Sequence, residues 1–454
     1  MDLLDLLKRP EGKKLEFKRD LSAPEGALKT IVAFANTAGG ILLIGVEDRS
    51  RNVSGVADPL DEEERLANLI SDRISPRLVP EIEILPWRQT QILALQVHPS
   101  PSRPHHLIRE GPAAGVYVRV GSTNRRADAE LIEELRRYSL GEDFDEQPLP
   151  GLSSEAIDFR AASESFAPFR ALRRRDLETL RLVGAHQGKT VPTVGGMILF
   201  GHDRERHFPD AWIQAGRFAG SDKSRILDRI EIHSLPVQAV EEAIAFVQKH
   251  SWHGATIGAV RRTDRWSLPP EAVREALINA VVHTDYSQRG APIRLSIFDD
   301  RLEIENPGLL PFGLTVEDLP HGVSRLRNRV IGRVFQALGL IEQWGSGIQR
   351  MTAVCRDAGL PPPIFEEIAM RFRVTIPTVP VGPSVVDATE QAILASLKGG
   401  QGLATREIAA IIGLSARATR TRLSRLIDRG LVREIGTSAQ DPQRKYFLAE
   451  GGPP

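Results

Sequence analysis

The sequence predicts a multidomain protein of mixed α and β structure, for three reasons. The chain has 454 residues, and a single domain usually takes roughly 100–200 residues. Helical patterns alternate with short apolar runs, as in EGALKTIVAFANTAGG followed by ILLIGV at 41–46. Proline-containing stretches at 361–363 and 379–383 set off a last block with its own pattern. We therefore expect an α/β multidomain architecture with segments at 1–140, 152–260, 261–380 and 385–450.

The composition excludes several classes of protein. Basic and acidic side chains number 59 each, so attraction to nucleic acid has to come from a local patch. The single cysteine, Cys355, excludes an intramolecular disulfide framework and a zinc cluster. No apolar run is long enough for a membrane span, and MDLLDLLKRP lacks the apolar centre of a signal peptide. We expect a cytoplasmic protein that binds no membrane.

The elements of the first three segments are predicted from apolar periodicity and from turn residues. We expect strands at 41–46, 81–85, 92–97, 115–121, 195–201, 293–300 and 301–308. A long helix is expected over 265–286, with proline at its entrance. The acidic stretch 141–151 is expected to connect two segments.

The last segment has the pattern of a winged helix-turn-helix. TEQAILASL, TREIAAIIGL (405–414) and SARATRTRLSRLIDRGLV (415–432) predict three helices, and VREIG and RKYFLA predict a hairpin after them. Thr405 fits an N-cap, and Gly413 fits the tight turn between the paired helices. This order of elements resembles the winged helix of many bacterial regulators.

Arginines cover much of the third predicted helix of this segment. A helix of this kind contacts phosphates and guanine edges in the major groove of DNA. We assign DNA binding to Arg417, Arg420, Arg422 and Arg425. Two alternatives stay open: the arginines only make an exposed helix soluble, or the winged helix binds another protein.

In the third segment, EALINAVVHTDY places three polar side chains on one stripe of a helix. Glu275, Asn279 and His283 stand at i, i+4 and i+8. The amide oxygen of Asn279 can bind Mg²⁺, which prefers hard oxygen ligands. Glu275 can orient or deprotonate a water molecule. Apolar residues on the other side of the helix can pack on a sheet.

Two glycine-containing turns follow this helix, ENPGLLP (305–311) and GSGIQRM (345–351). The second opens a helix, where backbone amides can face a phosphate. Together with the Glu-x-x-x-Asn helix they resemble the GHKL ATPase fold, an α/β sandwich, in the reduced form sometimes called RecG-like. This resemblance implies ATP and Mg²⁺ as cofactors. The implied cofactor-binding residues are Asn279, His283, Asn306, Gly308, Gly345 and Gly347, with Glu275 as a catalytic residue.

The third segment also departs from the GHKL pattern. The usual Asp-x-Gly-x-Gly that contacts adenine is absent, and Asn306 and Gly308 are the nearest equivalents. A weak ATPase is one interpretation of this departure. A degenerate domain that kept the fold without hydrolysis is the other.

In the first segment, EFKRD raises the question of a catalytic edge. In a strand, Glu16 and Lys18 point to one face and Leu15 and Phe17 to the other. Glu11 precedes this strand, and Asp48 follows the strand 41–46. Three carboxylates that converge near a lysine can bind a divalent ion and polarise a phosphodiester.

The stretches EGKKLEFKRD, ANTAGGILLIGVED and GVYVRVGSTNRRAD resemble the α+β Schlafen AlbA-type domain over about residues 8–137. In nuclease members of that family, acidic residues of these motifs form the active site. The resemblance implies Glu11, Glu16 and Asp48 as catalytic residues, with Mg²⁺ or Mn²⁺ on Glu16 and Asp48. Nucleic acid is expected at Lys18, Arg119, Arg125 and Arg126. The alternative is that Glu16 and Lys18 form a surface ion pair.

From these features we expect an ATP-binding, DNA-binding regulator of transcription from a bacterium. Nucleotide in the third segment is expected to alter DNA binding by the winged helix. The alternative is a metal-dependent nuclease that acts on RNA or DNA, for instance in phage defence. A homodimer is expected from fold analogy with winged helices that bind symmetric sites.

Overall fold

The computed structural model describes residues 3–48, 50–251, 253–257, 262–266, 268–341, 345–378, 388–398, 402–428, 431–435 and 445–448. The chain forms two compact units, Met1–Pro380 and Val381–Pro454. Both mix helices with strands, as the sequence predicts. Within the described ranges, no helix has the length and apolar character needed to cross a membrane.

The larger unit begins with a four-stranded sheet that is covered by helices. The elements of this part are α1 (Leu3–Lys8), β1 (Leu15–Lys18), α2 (Glu25–Asn36), β2 (Gly40–Ile44), α3 (Pro59–Arg73), β3 (Ile74–Ser75), β4 (Glu81–Trp87), β5 (Thr90–Val97), β6 (His106–Leu107), α4 (Gly111–Ala114), β7 (Tyr117–Val120), β8 (Thr123–Arg126) and α5 (Ala129–Leu140). The sheet has the order β1-β2-β5-β4, and β1 runs parallel to β2. The predicted strands 41–46, 81–85, 92–97 and 115–121 are confirmed, with shifts of a few residues at their ends.

The side chains of β1 alternate between two apolar clusters, one on each face of this sheet. Leu15 and Phe17 pack with Leu43 on one face. Leu42 and Ile44, which pair with Glu16 and Lys18 in the neighbouring strand, belong to the cluster on the other face. Glu16 and Lys18 therefore lie on the face that carries α2, as strand alternation predicts.

The rest of the larger unit is built around a six-stranded sheet. Its elements are α6 (Phe159–Phe166), α7 (Asp176–Thr179), β9 (Val183–His186), β10 (Lys189–Pro192), α8 (Val194–Phe200), α9 (Arg204–His207), β11 (Ile213–Phe218), β12 (Ile226–Ile232), α10 (Pro236–His250), β13 (His253–Ile257), β14 (Arg262–Trp266), α11 (Pro270–His283), β15 (Ile293–Ile297), β16 (Arg301–Pro307), α12 (Arg329–Ala337), α13 (Gly347–Asp357), β17 (Ile364–Ile368) and β18 (Arg371–Pro377). The strand order is β12-β11-β15-β16-β18-β17. β11 pairs in parallel with β15, so the segments 152–260 and 261–380 share one sheet and one apolar core.

Two expectations for this part need correction. GGMILFG at 195–201 was expected to be a strand, but it lies in helix α8. A short apolar run does not distinguish a strand from a buried helix, and here the Thr193 hydroxyl caps the helix by accepting from the Gly196 amide at 3.0 Å. The helix expected over 265–286 begins only at Pro270, because the residues up to Trp266 form β14.

The acidic connection 141–151 holds the first turn of α12. The Asp145 carboxylate accepts from the backbone amides of Arg329 (3.0 Å), Val330 (2.6 Å) and Ile331 (3.0 Å). The first amides of a helix have no partner inside it, and Asp145 supplies one from a distant part of the chain. The connection is therefore part of the core structure of the larger unit.

The smaller unit has the expected winged-helix order. Its elements are α14 (Ala388–Leu397), β19 (Leu403–Ala404), α15 (Thr405–Ile412), α16 (Ala416–Asp428), β20 (Val432–Ile435) and β21 (Lys445–Leu448), with the strand order β19-β21-β20. Gly413 ends α15 with a left-handed φ of +69°, which confirms the predicted turn. Thr405 was expected to be the N-cap, but Ala404 occupies that position and Thr405 starts the helix.

We expect Asp145→Ala to lower the free energy of unfolding of the larger unit by about 3 kcal/mol, because it leaves buried amide donors without an acceptor. Urea unfolding of the full chain measures this effect. Glu142→Ala, at an exposed site in the same connection, is the matched control and should change stability little. Equal stability of the two variants would contradict the role of Asp145.

Candidate functional site

A cleft in the larger unit brings together most of the residues that the sequence predicts to bind a nucleotide. It lies between α11, the start of α13 and the strands β16 and β18, and it encloses about 1280 Å³ of empty space that is partly open to solvent. The predicted residues that line the cleft are Glu275, Asn279, His283, Asn306, Gly345 and Gly347.

One end of the cleft is built on a close contact between α11 and α13. The Asn279 amide nitrogen donates to Glu275 Oε1 at 3.2 Å. A Cβ atom on Gly347 would lie 1.9 Å from the same oxygen, so a larger residue there would displace the Glu275 carboxylate. Gly345 has a φ of +65°, and a Cβ on it would lie 2.5 Å from the Gly322 carbonyl oxygen. Glycine is therefore required at 345, where the backbone is left-handed and meets another backbone segment.

Arginines also line the cleft, and sequence reasoning did not name them. Arg274, Arg325 and Arg350 line the cleft. An Arg350 guanidinium nitrogen donates to Ser346 Oγ at 3.2 Å, at the start of α13. Guanidinium groups bind phosphate oxygens well, and the N-terminus of a helix favours an anion. Arg274 directly precedes Glu275, and Arg350 lies one turn after Gly347. This closeness in sequence to predicted site residues could have identified both arginines as candidates.

The other end of the cleft is apolar. Its wall is formed by aliphatic and aromatic side chains, namely Leu309, Leu310, Leu314, Leu319, Ile348, Phe372 and Val374. Such a wall suits a flat, weakly polar group. A ligand with a charged end and a flat apolar end therefore fits the cleft as a whole.

His283, Asn306 and Gly308 differ in what they offer a ligand. His283 lies at the cleft wall, and burial lowers its pKa to about 4, so its ring is neutral at pH 7. The Asn306 amide nitrogen donates to the Pro307 carbonyl oxygen at 3.1 Å. Gly308 turns the chain out of β16 with a φ of +97° and packs against Asp285 and Arg327.

The cleft contains oxygen atoms that fit a partly hydrated Mg²⁺. Glu275 and Asn279 can supply one carboxylate and one amide oxygen, and Mg²⁺ in phosphate sites usually takes its other ligands from water and phosphate. Over the described ranges, no group of three His, Cys, Asp or Glu side chains is arranged to hold a metal. A cation in the cleft would therefore depend on the phosphates of its ligand.

The carboxylates predicted in the first segment do converge. Glu11 Oε1 accepts from the Phe17 amide at 2.7 Å. Burial, helped by the nearby Asp48 and Glu16 carboxylates, raises the pKa of Glu11 to about 7, although the hydrogen bond from the Phe17 amide lowers it. Glu16 itself is engaged by two cations, Lys18 and Arg119, one at each oxygen. Both oxygens of Glu16 are therefore occupied by cations in this structure.

Arg119 was expected at a nucleic-acid surface, and the structure corrects this. Its side chain is fully buried. Its guanidinium pairs with Glu16 and donates to the Gly12 carbonyl oxygen at 3.1 Å and to the Asn124 side chain at 2.9 Å. A buried carboxylate needs such a partner, so Arg119 holds the strand in place and cannot reach a phosphate backbone.

The other predicted nucleic-acid contacts are distributed over both units. Arg125 and Arg126 are exposed on β8, and Arg126 lies 3.5 Å from the Glu110 carboxylate. In the smaller unit, Arg420 is exposed on α16 and Arg422 is half-buried. The side chains of Arg417 and Arg425 lie outside the described residues.

The Glu11 carboxyl provides a test of the carboxylate cluster. The pKa of Glu11 is higher in the folded protein than in the unfolded chain, so the protonated carboxyl stabilises the fold below its ordinary pKa. This contribution is lost as the pH rises through about 7. Glu11→Gln keeps the acceptor for the Phe17 amide without the charge. We therefore expect the variant to melt at a higher temperature than the wild type at pH 8 and at the same temperature at pH 4.5.

Thermal unfolding at the two pH values measures the effect. Glu64→Gln, at an exposed position on α3, is the control and should give the same difference from the wild type at both. A Glu11→Gln difference that does not change with pH would contradict the clustering of these carboxylates.

Models of three protein families match successive parts of the chain. Residues 11–128 match "Schlafen, AlbA_2". Residues 290–376 match "Putative ATP-dependent DNA helicase recG C-terminal". Residues 386–433 match "Winged helix-turn-helix DNA-binding". No curated protein matches the chain.

Two solved structures are similar to the chain. A crystal structure of a protein from Corynebacterium diphtheriae is 20% identical, with 96% of this chain and 92% of that chain covered and a TM-score of 0.46. A solution structure of the N-terminal domain of a RecG-related protein from Nitrosomonas europaea is 26% identical, with 27% of this chain and 91% of that chain covered and a TM-score of 0.22. Neither carries a functional argument, because both TM-scores are below 0.5.

The three family matches confirm the domain types and their order that the sequence predicts. Together with the mixed α and β elements of both units, they identify the architecture. The chain combines, from its N-terminus to its C-terminus, a Schlafen AlbA_2 domain, an ATPase-like domain of the RecG C-terminal type and a winged helix-turn-helix.

Proposed function

We propose that this protein is an ATP-binding regulator of transcription whose winged helix binds DNA in a nucleotide-dependent way. The observation that carries the proposal is the cleft in which Glu275, Asn279 and the backbone of 345–347 meet. The ATPase-like family match, over residues 290–376, covers β15, β16, β17, most of β18 and the glycine turn beside this cleft, while α11 precedes it. The winged-helix match supplies a DNA-binding module.

The shape of the cleft supports a nucleoside triphosphate over other anions. Its polar end offers arginines, the amides at the start of α13 and the Asn279 side chain to phosphates and a bound Mg²⁺. Its apolar wall suits a base. With Asn306 bound to its own neighbour, the base is held mainly by apolar contact, so discrimination between purine bases is expected to be modest.

The winged helix supports DNA as the partner. α16 follows the turn at Gly413 and carries arginines along its length, as a recognition helix does. Winged helices often bind symmetric sites in pairs, so the proposal includes a homodimer. A regulator of this kind works where the chromosome lies, in the cytoplasm of a bacterium.

Coupling between nucleotide and DNA requires two conformations with different affinities for ATP. A nucleotide that binds both conformations equally would shift nothing. The coupling is therefore measurable as a change in DNA affinity, and the next two experiments separate it from nucleotide binding itself.

We expect Asn279→Ala and Gly347→Ala to weaken ATP–Mg²⁺ binding at least about tenfold, a loss of about 1.4 kcal/mol. Asn279→Ala removes a polar ligand, and the methyl group of Gly347→Ala overlaps the Glu275 carboxylate. Isothermal titration on the full chain measures the affinity. Asn68→Ala, an exposed amide on α3, and Gly184→Ala, where a Cβ meets no atom within 4 Å, are the matched controls. Unchanged ATP–Mg²⁺ affinity in both cleft variants would contradict the nucleotide site.

We expect Arg420→Ala to weaken binding to a duplex DNA of mixed sequence and to lower the salt slope of binding by about 1. Arg160→Ala, an exposed arginine on α6, is the control and should leave both unchanged. Fluorescence anisotropy over a salt series measures this.

The same titration at fixed salt with and without ATP–Mg²⁺ tests coupling, and equal affinities would refute it.

A further inference from the structure

One wall of the cleft is a segment that also contacts the Schlafen-type domain. We call residues 308–322 the flap. It begins at Gly308 and ends at Gly322, both with positive φ (+97° and +76°). Leu310, Leu314 and Leu319 of the flap line the cleft and form a small apolar cluster separate from the main core. The flap is attached by its ends, by these leucines and by Phe312, which packs in an apolar cluster with Val116 and Leu131 of the Schlafen-type domain.

The first attachment is a buried ion pair with Lys13. Lys13 Nζ lies 2.6 Å and 2.7 Å from the two carboxylate oxygens of Glu367 on β17. The side chains are only 8% and 4% exposed. Glu367 Oε1 also accepts from the Leu310 amide at 2.8 Å. Lys13 therefore fixes the Glu367 carboxylate, and this carboxylate binds the backbone at the start of the flap.

The second attachment uses the neighbouring residue, Lys14. Its Nζ lies 3.0 Å from Asp318 Oδ2. The same oxygen accepts from the amide and the hydroxyl of Thr315, both at 2.8 Å, at the start of the flap's 3-10 helix Val316–His321. Leu319 at the cleft wall belongs to this helix. Lys14 therefore contacts the carboxylate that caps the second half of the flap.

The two lysines are fixed to the carboxylate cluster by backbone bonds. The Gly12 amide donates to the Leu15 carbonyl oxygen at 3.0 Å, and the Ile41 amide donates to the Lys14 carbonyl oxygen at 2.9 Å. The buried Arg119 donates to the Gly12 carbonyl oxygen while it pairs with Glu16. A displacement of the lysines is thereby passed to the strand that carries Glu16.

We propose that Lys13 and Lys14 are positioning residues that hold the flap against the cleft and transmit its occupancy to strand β1 of the Schlafen-type domain. The proposal rests on the proposed nucleotide site and adds the element that senses it. A nucleotide that packs against Leu310 and Leu319 orders the flap, and the two ion pairs order residues 11–18 with it. Removing one partner of the buried Lys13–Glu367 pair leaves the other charge uncompensated. The side chains of the Lys14–Asp318 pair are 38% and 30% exposed, so this pair contributes less.

Hydrogen–deuterium exchange of the full chain tests this, with ATP–Mg²⁺ as the probe at concentrations that saturate each protein. In the wild type we expect ATP to slow exchange in peptides from both 308–322 and 11–18. In the Lys13→Gln/Lys14→Gln double variant, exchange of the free flap should rise about tenfold. ATP should then slow the flap but no longer slow 11–18.

Two further variants separate position from charge. Lys13→Arg with Lys14→Arg keeps both ion pairs and should restore the response of 11–18. Lys29→Gln removes an equally charged side chain that pairs with Glu110 within the Schlafen-type domain, and it should behave like the wild type.

The outcomes are distinct. A flap that responds to ATP while 11–18 does not, or a double variant that keeps the response of 11–18, overturns the coupling and leaves the nucleotide site intact. If ATP slows exchange neither in the flap nor in the other cleft peptides of the wild type, both the coupling and the nucleotide site are overturned.

Discussion

The contact between the Glu275 carboxylate and the backbone of Gly347 is the constraint on which the cleft depends. It places the Glu275 side chain of α11 directly against the start of α13, where a Cβ atom on Gly347 would overlap the carboxylate. The same carboxylate accepts from Asn279, so the polar end of the cleft is arranged before any ligand arrives. Preorganised donors and acceptors bind a charged ligand without the cost of ordering them first. The flap contributes only apolar side chains to the lining of the cleft.

Much of the candidate site could be predicted from the sequence because its signals are local. Helical spacing placed Glu275, Asn279 and His283 on one stripe, and all three line the cleft. The glycine turn at 345–347 was recognised from its residue types, since glycine before a helix marks a close approach of backbone. Strand alternation placed Glu16 on the correct face of its sheet. In each case the information lies within about ten residues of chain.

What could not be predicted depends on partners far away in sequence. Arg119 looked like a surface arginine on a strand, and only its pairing with Glu16 explains its burial. Helix α8 was mistaken for a strand because burial on all sides removes the periodicity that tells the two apart. The role of Asp145 required knowing that α12 begins beside it, 184 residues further along the chain. Two adjacent lysines do not indicate their partners, so the ion pairs of Lys13 with Glu367 and of Lys14 with Asp318 could not be predicted.

The parallel pairing of β11 with β15 has a consequence for how this protein can be divided. One strand of the sheet beside the cleft comes from residues 213–218, well before the family match at 290–376 begins. A fragment cut at residue 261 would leave the backbone groups of β15 without their neighbour and would strip α11 of the apolar residues it packs against. Because Asp145 also holds the first turn of α12, recombination between relatives would have to exchange residues from about 141 to 378 as a single block. The Schlafen-type and winged-helix parts, by contrast, have cores of their own.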